Sequence, residues 1–183
     1  MPNTEDRINQ LEQLMRTHQH ASFDTTAPLR FQDTQQIGKA VLASASTSLS
    51  LSIPPKQLIR IFIQWGAKSG TSDDYLRFNA DSGNNYTTTT GVSQAQIDIR
   101  NGANSALGAF SVIEIVNNIS TQVKPVFIHT VNRITSAGTA ISSYELFAVW
   151  VNTASFITSI SLTSSGAATY PSGTSIIVLS SRE

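Results

Sequence analysis

Two periodicities divide the chain. Near the start, Ile8, Leu11, Met15 and His18 are spaced three, four and three, which is the a/d seam of a coiled coil. Leu14 widens that stripe. Asn3 and Thr4 are N-cap candidates, and Glu5 and Asp6 suit a first helical turn, where negative charge meets the helix dipole. The helix is expected over residues 7–17. It fails over residues 18–26, where small, β-branched and polar residues collect, and Pro28 blocks its continuation. Isolated helices shorter than about 12–15 residues are marginal in water. The seam therefore implies a helix set beside copies of itself and held there by a β-domain C-terminal to it.

From residue 41 the period becomes two. Ala43, Ala45, Thr47, Leu49, Leu51 and Ile53 alternate with Ser44, Ser46, Ser48, Ser50 and Ser52. That pattern predicts one half-buried strand with a hydroxyl face, ended by Pro54 and Pro55. Ile59, Ile61, Ile63 and Trp65 share one face of a strand over residues 56–65. Further strands are expected over residues 75–79, 86–92, 96–100, 109–116, 123–131, 143–151, 156–163 and 175–180. Residues 81–85 form a turn, and residues 29–39 read as an irregular crossing. Pro125 points to an edge strand or to a bulge at the start of its segment. About nine strands between Gly/Asn/Ser turns indicate a mainly β protein, an antiparallel β-sandwich of jelly-roll type with a short N-terminal α-helix. The expected organisation is a helix and connector over residues 1–28, for oligomerisation or attachment, and a sandwich over residues 29–183.

Composition changes this picture in three ways. Hydrophobic residues make up 40% of the 183, enough for a core, but charged residues only 13%, about half the usual ~25%. Net charge is +0 and no basic run occurs, which argues against a nucleic-acid partner. There is no cysteine, which removes disulfides, thiolate metal sites and Cys nucleophiles. No apolar run approaches the ~20 residues that span a bilayer, and the polar, acidic start is no secretory signal. These features point to folding in a cytoplasm.

Charge is distributed unevenly. No charged residue lies between Glu145 and Arg182, although the stretch carries Phe147, Trp150, Phe156, Ile177 and Leu179. Interface cores are depleted of charge, so these strands are expected to touch neighbouring subunits, Trp150 and Phe156 among the contacts. The alternative is that Ser and Thr, roughly a quarter of the chain, keep the outer faces wet.

Several groups are candidates for chemistry. His18 and His20 would lie about 200° apart on a helix, but they project to one side of an extended segment. Three chains meeting at the seam would bring six imidazoles to one axis, a set suited to iron or another transition metal. The alternative is a pair of solvated histidines at a helix end. Asp73, Asp74 and Asp81, near Asn79, Asn84 and Asn85, offer oxygen ligands for Ca²⁺, but their spacing lacks the calcium-loop pattern. Glu114, Glu145 and Asp98 are the acids that a hydrolase would need close together in a cleft. His129 has no G-x-S-x-G elbow to serve, and Glu114 and Glu145 have Lys124 or Arg133 as possible partners. Trp65, Tyr75, Tyr86, Tyr144, Trp150 and Tyr170 could stack on sugar rings, although most such rings belong to cores or interfaces. The chain is not expected to be an enzyme.

The opening from Ile8 to His20, a short seam followed by His-x-His and then Asp24, resembles the start of virion proteins of phages and archaeal viruses. Leu76-Arg77-Phe78-Asn79-Ala80-Asp81-Ser82-Gly83-Asn84-Asn85-Tyr86 is similar to an LRFNGDxGxNY segment of that group, with Ala80 where Gly is usual. The Trp150–Ala154, Ile157–Ile160 and Tyr170–Ser175 segments are similar to its terminal hairpin. The resemblance implies a homotrimeric structural component of the virion, made in a host cytoplasm: a capsid decoration, spike or tail-fibre protein contacting other capsid or tail proteins. It also implies iron on the threefold axis at His18 and His20. A host glycan is the expected ligand if the protein recognises a receptor.

Overall fold

The computed structural model describes residues 34–70, 72–89, 93–99, 108–117, 123–132, 143–152 and 154–181. The expected helix with Ile8, Leu11, Leu14 and Met15, and the His18/His20 pair, lie outside the described residues. The chain divides into two units, Met1–Thr34 and Gln35–Glu183.

The described residues form twelve strands: β1 (Thr34–Val41), β2 (Ser48–Ser52), β3 (Leu58–Trp65), β4 (Asp74–Phe78), β5 (Tyr86–Thr88), β6 (Ser93–Gln94), β7 (Ile97–Asp98), β8 (Ala109–Val116), β9 (Lys124–Asn132), β10 (Ser143–Trp150), β11 (Ser159–Ser164) and β12 (Ser175–Ser181). They build an eight-stranded sheet in the order β1-β12-β3-β8-β9-β10-β5-β6 and a four-stranded sheet in the order β2-β11-β4-β7. Eight strands nest outermost with outermost: β1 beside β12, β2 beside β11, β3 beside β8 and β4 beside β7. Successive pairs of this set alternate between the two sheets, which is the winding of a jelly roll. The expected sandwich is therefore present. It carries an addition: β9, β10, β5 and β6 extend the large sheet beyond β8.

Alternation in the sequence explains the layers. In β3, Ile59, Ile61, Ile63 and Trp65 are buried, while Arg60, Phe62 and Gln64 face away from the core. Each fully buried isoleucine contributes about 1.5–3 kcal/mol. Ile113 and Ile115 of β8, Val126 and Ile128 of β9, and Ile176 and Val178 of β12 continue the layer. Leu76, Phe78, Ile160 and Leu162 answer it from the small sheet. Gly108 lets β8 start close under β3, because a Cβ there would sit 2.5 Å from the Trp65 carbonyl oxygen.

Several expected boundaries move. Residues 34–39, expected to be irregular, belong to strand β1, and the single strand expected from residue 41 is broken. Residues 43–47 turn the chain from one sheet to the other. There Ser46 and Tyr170 exchange backbone hydrogen bonds of 3.1 and 2.8 Å. Pro125 lies on an interior strand, not an edge. It sits at the start of β9 opposite Val149, just before pairing with β8 begins at Val126. The missing N–H therefore falls beside the β8 ladder and not within it. β11 begins at Ser159 and not near residue 156, because side chains claim the backbone before it. Asn79 Nδ2 donates to the Phe156 carbonyl at 2.7 Å, and its Oδ1 accepts from Thr158 N at 2.8 Å and Ser159 N at 3.0 Å. From the other side, Asn117 Oδ1 accepts from Ile157 N at 2.7 Å.

The turn after β4 uses two left-handed residues, Asn79 (φ 52°) and Ala80 (φ 53°). An L-residue there costs roughly 1–2 kcal/mol, against about 0.5–1 kcal/mol of extra chain entropy that glycine gives up on folding. Ala80→Gly is therefore expected to stabilise the fold by about 0.5–1 kcal/mol. A thermal melt should show it as a rise of about 1–4 °C.

Candidate functional site

The outer faces of the two sheets differ in character. On the small sheet the rows read Ser48–Thr163–Tyr75–Asp98 and Ser50–Ser161–Arg77, and Ser52 stands opposite Ser159. Ser50 Oγ bonds Ser161 Oγ at 2.9 Å, and Arg77 donates to Gln96 Oε1 at 2.6 Å. This face is wet by construction.

The outer face of the large sheet mixes polar side chains with exposed aromatic ones. Strand registers line up three rows across β12, β3, β8, β9 and β10. They are Leu179–Arg60–Glu114–Phe127–Phe147, Ile177–Phe62–Val112–His129–Glu145 and Ser175–Gln64–Phe110–Val131–Ser143. Phe147 is 55% exposed, Phe127 43% and Phe110 42%. Two aromatic pairs stand on this face. Phe127 and Phe147 meet edge to face with centroids 5.2 Å apart, and Phe62 stacks on Phe110 at 6.1 Å. Between them, Val112, Glu114, His129 and Glu145 help to line a shallow depression. Two polar contacts lie within these rows: Arg60 pairs with Glu114, and His129 Nδ1 lies 3.2 Å from Glu145 Oε1.

This placement answers several expectations. Glu114 and Glu145 share one face but stand two strands and one row apart, about 12 Å between backbones by strand geometry. Glu114 pairs with Arg60 and Glu145 contacts His129, while Lys124 is buried elsewhere and Arg133 lies outside the described residues. Asp98 lies on the other sheet.

Trp150 does not belong to a subunit interface, because it is wholly buried in its own chain. Its Nε1–H donates to Asp81 Oδ2 at 2.8 Å, and its ring packs on Phe78 and Tyr86. Phe156 is half-buried on the β10–β11 connection, away from the three rows.

Trp65, Tyr86 and Tyr170 are buried too, and Tyr144 packs against the core. Burial pushes the Tyr86 phenol up to about 12. Among Tyr75, Tyr86 and Tyr170 as sugar platforms, only Tyr75 is part-exposed, with its hydroxyl 3.2 Å from Asp73 Oδ2.

The three aspartates disperse. Asp74 is fully buried, accepting from Lys68 Nζ at 2.8 Å and from the Tyr170 hydroxyl at 2.7 Å. Asp81 locks the turn, accepting from Gly83 N at 2.9 Å and from Asn85 Nδ2. Burial alone would raise the Asp81 carboxyl, but bonds from Trp150, Asn85 and Gly83 outweigh it and hold the group below the usual carboxylate range. No group of three or more metal-ligating side chains gathers among the described residues.

Two buried lysines were not expected from the sequence. Lys68 is closed around Asp74 and Ser72. Lys124 donates to the Asn152 carbonyl at 2.5 Å and lies 5.1 Å over the Trp150 ring. Burial lowers the pKa of Lys124 below the ordinary lysine value. A lysine at an inward position of an alternating strand, as Lys124 is before Val126 and Ile128, was the available signal.

Comparison of the chain with protein-family models, curated proteins and solved structures finds no match.

Proposed function

We propose that this protein is a non-enzymatic structural component of a virus particle that works as a homotrimer and contacts capsid or tail proteins. Jelly rolls recur in viral capsid and lectin domains, and a fold alone assigns no function. The observation that carries the reading is the extension of the roll. The added strands β9 and β10 present Phe127 and Phe147 to the outside, each more than two-fifths exposed. The opposite sheet meanwhile presents hydroxyls. Monomers rarely leave contiguous apolar patches above a few hundred Å² open to water. The motif resemblance supplies the virion setting, and the seam at Ile8, Leu11, Leu14 and Met15 supplies a second contact.

Sedimentation of the full chain at low micromolar concentration tests this. A mass near three times the 19.7 kDa chain is expected, and a single-chain mass at all concentrations overturns the reading. The host-glycan alternative retains one ring, Tyr75, on the hydroxyl face. Binding on a glycan array that is lost in Tyr75→Ala would favour it.

A further inference from the structure

We propose that Lys68 and Asp74 become joined by an intramolecular isopeptide bond, formed by the fold itself with loss of one water. Alternation places Asp74 inward at the head of β4, on the same side as Leu76 and Phe78. The β3–β4 connection brings Lys68 to it. That connection is tied down, because Ser69 N donates to the Thr169 carbonyl at 3.1 Å and Thr169 N donates to Ser69 Oγ at 2.8 Å. Lys68 Nζ stands 2.8 Å from Asp74 Oδ1, and both side chains are 0% exposed.

Burial and position drive the reaction. Two ions taken out of water lose their hydration, a cost that can exceed their mutual attraction. An amide carries no charge and removes that cost. Reactants held in place also behave as if at effective concentrations of about 10⁵–10⁸ M.

One proton passes from the ammonium to the carboxylate, leaving a neutral amine and a carboxylic acid. The nitrogen lone pair then attacks Cγ. The electron pair displaced onto Oδ1 is held by the Tyr170 hydroxyl, which donates to that oxygen at 2.7 Å. Oδ2 leaves as water, carrying the first proton and a second one from nitrogen. The Ser72 hydroxyl, 2.8 Å from Nζ, is placed to relay the second proton. The remaining N–H of the amide keeps the Ser72 carbonyl as its acceptor. Lys124 is the contrast within the same chain. It is equally buried, but it meets a backbone carbonyl and an aromatic ring, neither of which can form this bond.

Tryptic mapping of the denatured full-length protein tests this. An unlinked chain is cut after Arg60, Lys68 and Arg77 and gives two peptides. The linked chain is expected to give one peptide, from Ile61 to Arg77, uncut after Lys68 and lighter by one water. Fragmentation should place the bond between Lys68 and Asp74. Two peptides of unaltered mass, from folded protein stored for a week, overturn the proposal. A water lost from the Ser69–Arg77 peptide with Lys68 cut marks a cyclic imide at an aspartate and also overturns it.

Tyr170→Phe keeps the ring beside Lys68 and removes the hydroxyl. In cell-free synthesis its linked peptide should accumulate about 100-fold more slowly than that of the wild type, with near-UV circular dichroism checking the fold. An unchanged rate overturns the mechanism. Neither readout depends on how many chains associate, so failure here leaves the assembly reading standing.

Discussion

Replacing Asp74 with alanine is expected to destabilise the sandwich by about 3–5 kcal/mol, the cost of leaving one member of a buried pair uncompensated. The Lys68 and Asp74 side chains are both 0% exposed. Without the carboxylate, the ammonium keeps the Ser72 carbonyl and hydroxyl and the face of the Tyr170 ring but loses its counter-charge, and the bond from the Tyr170 hydroxyl to Asp74 is lost. For a domain of this size each kcal/mol is worth about 2–4 °C, so melting should fall by about 6–20 °C. Adding Lys68→Met and Tyr170→Phe removes the stranded polar groups, and replacing a whole buried cluster with apolar residues is often near neutral. The triple variant is expected to recover most of the loss in a urea titration. No recovery would mean that the cluster shapes the loop before β4 in ways beyond charge balance.

Trp150→Ala is expected to cost a similar 3–5 kcal/mol from lost burial and the cavity left behind. The ring also carries Lys124 above it and holds Asp81 through its N–H. Trp150→Phe separates these contributions. It keeps an aromatic body against Phe78 and Tyr86 but removes the bond to the Asp81 carboxylate, at about 1.5–3 kcal/mol for a bond to a charged group. The decisive comparison is with Phe147→Thr, three positions earlier on the same strand. Urea unfolding should show Trp150→Ala losing stability and Phe147→Thr changing little. The mass of the folded protein should show the reverse order of effect. A Trp150→Phe variant that stays as stable as wild type but loses assembly would return Trp150 to the interface.

That pair of residues shows what was legible in the sequence. Alternation located the inner face of β3, with Ile59, Ile61, Ile63 and Trp65 on it, because burial on one side of a strand is written at period two. It also showed that the last strands lack charge. It could not say which side of β10 faces out, since Phe147 and Trp150 are both large and aromatic. Only the register, which puts Trp150 beside Tyr86 and Phe147 beside Phe127, decides that.

β1 was unreadable for a different reason. Its sequence, TQQIGKAV, has no clean period, and its burial follows none. Its neighbour β12 makes it a strand. The Asn79 and Asn117 clamps were equally hidden, because an asparagine that bonds backbone dozens of residues away has the same local signature as any turn asparagine. The left-handed pair fell on Asn79 and Ala80, where the expected source of the turn was residues 81–85. The Gly usual at position 80 in the resembling segment is the residue that such a backbone favours.

The nesting of first strand with last has a consequence for biosynthesis. The large sheet cannot close until Ser175–Ser181 has been translated, since β12 is the neighbour that joins β1 to β3, and the small sheet waits for Ser159–Ser164, since β11 joins β2 to β4. Long-range pairing of this kind folds slowly. Until then the emerging polypeptide presents raw strand edges and isoleucine-rich ribbons to its surroundings. A ribosome that stops short by one strand leaves β1 detached and β3 uncovered, so premature termination should yield aggregates and not a shortened folded protein.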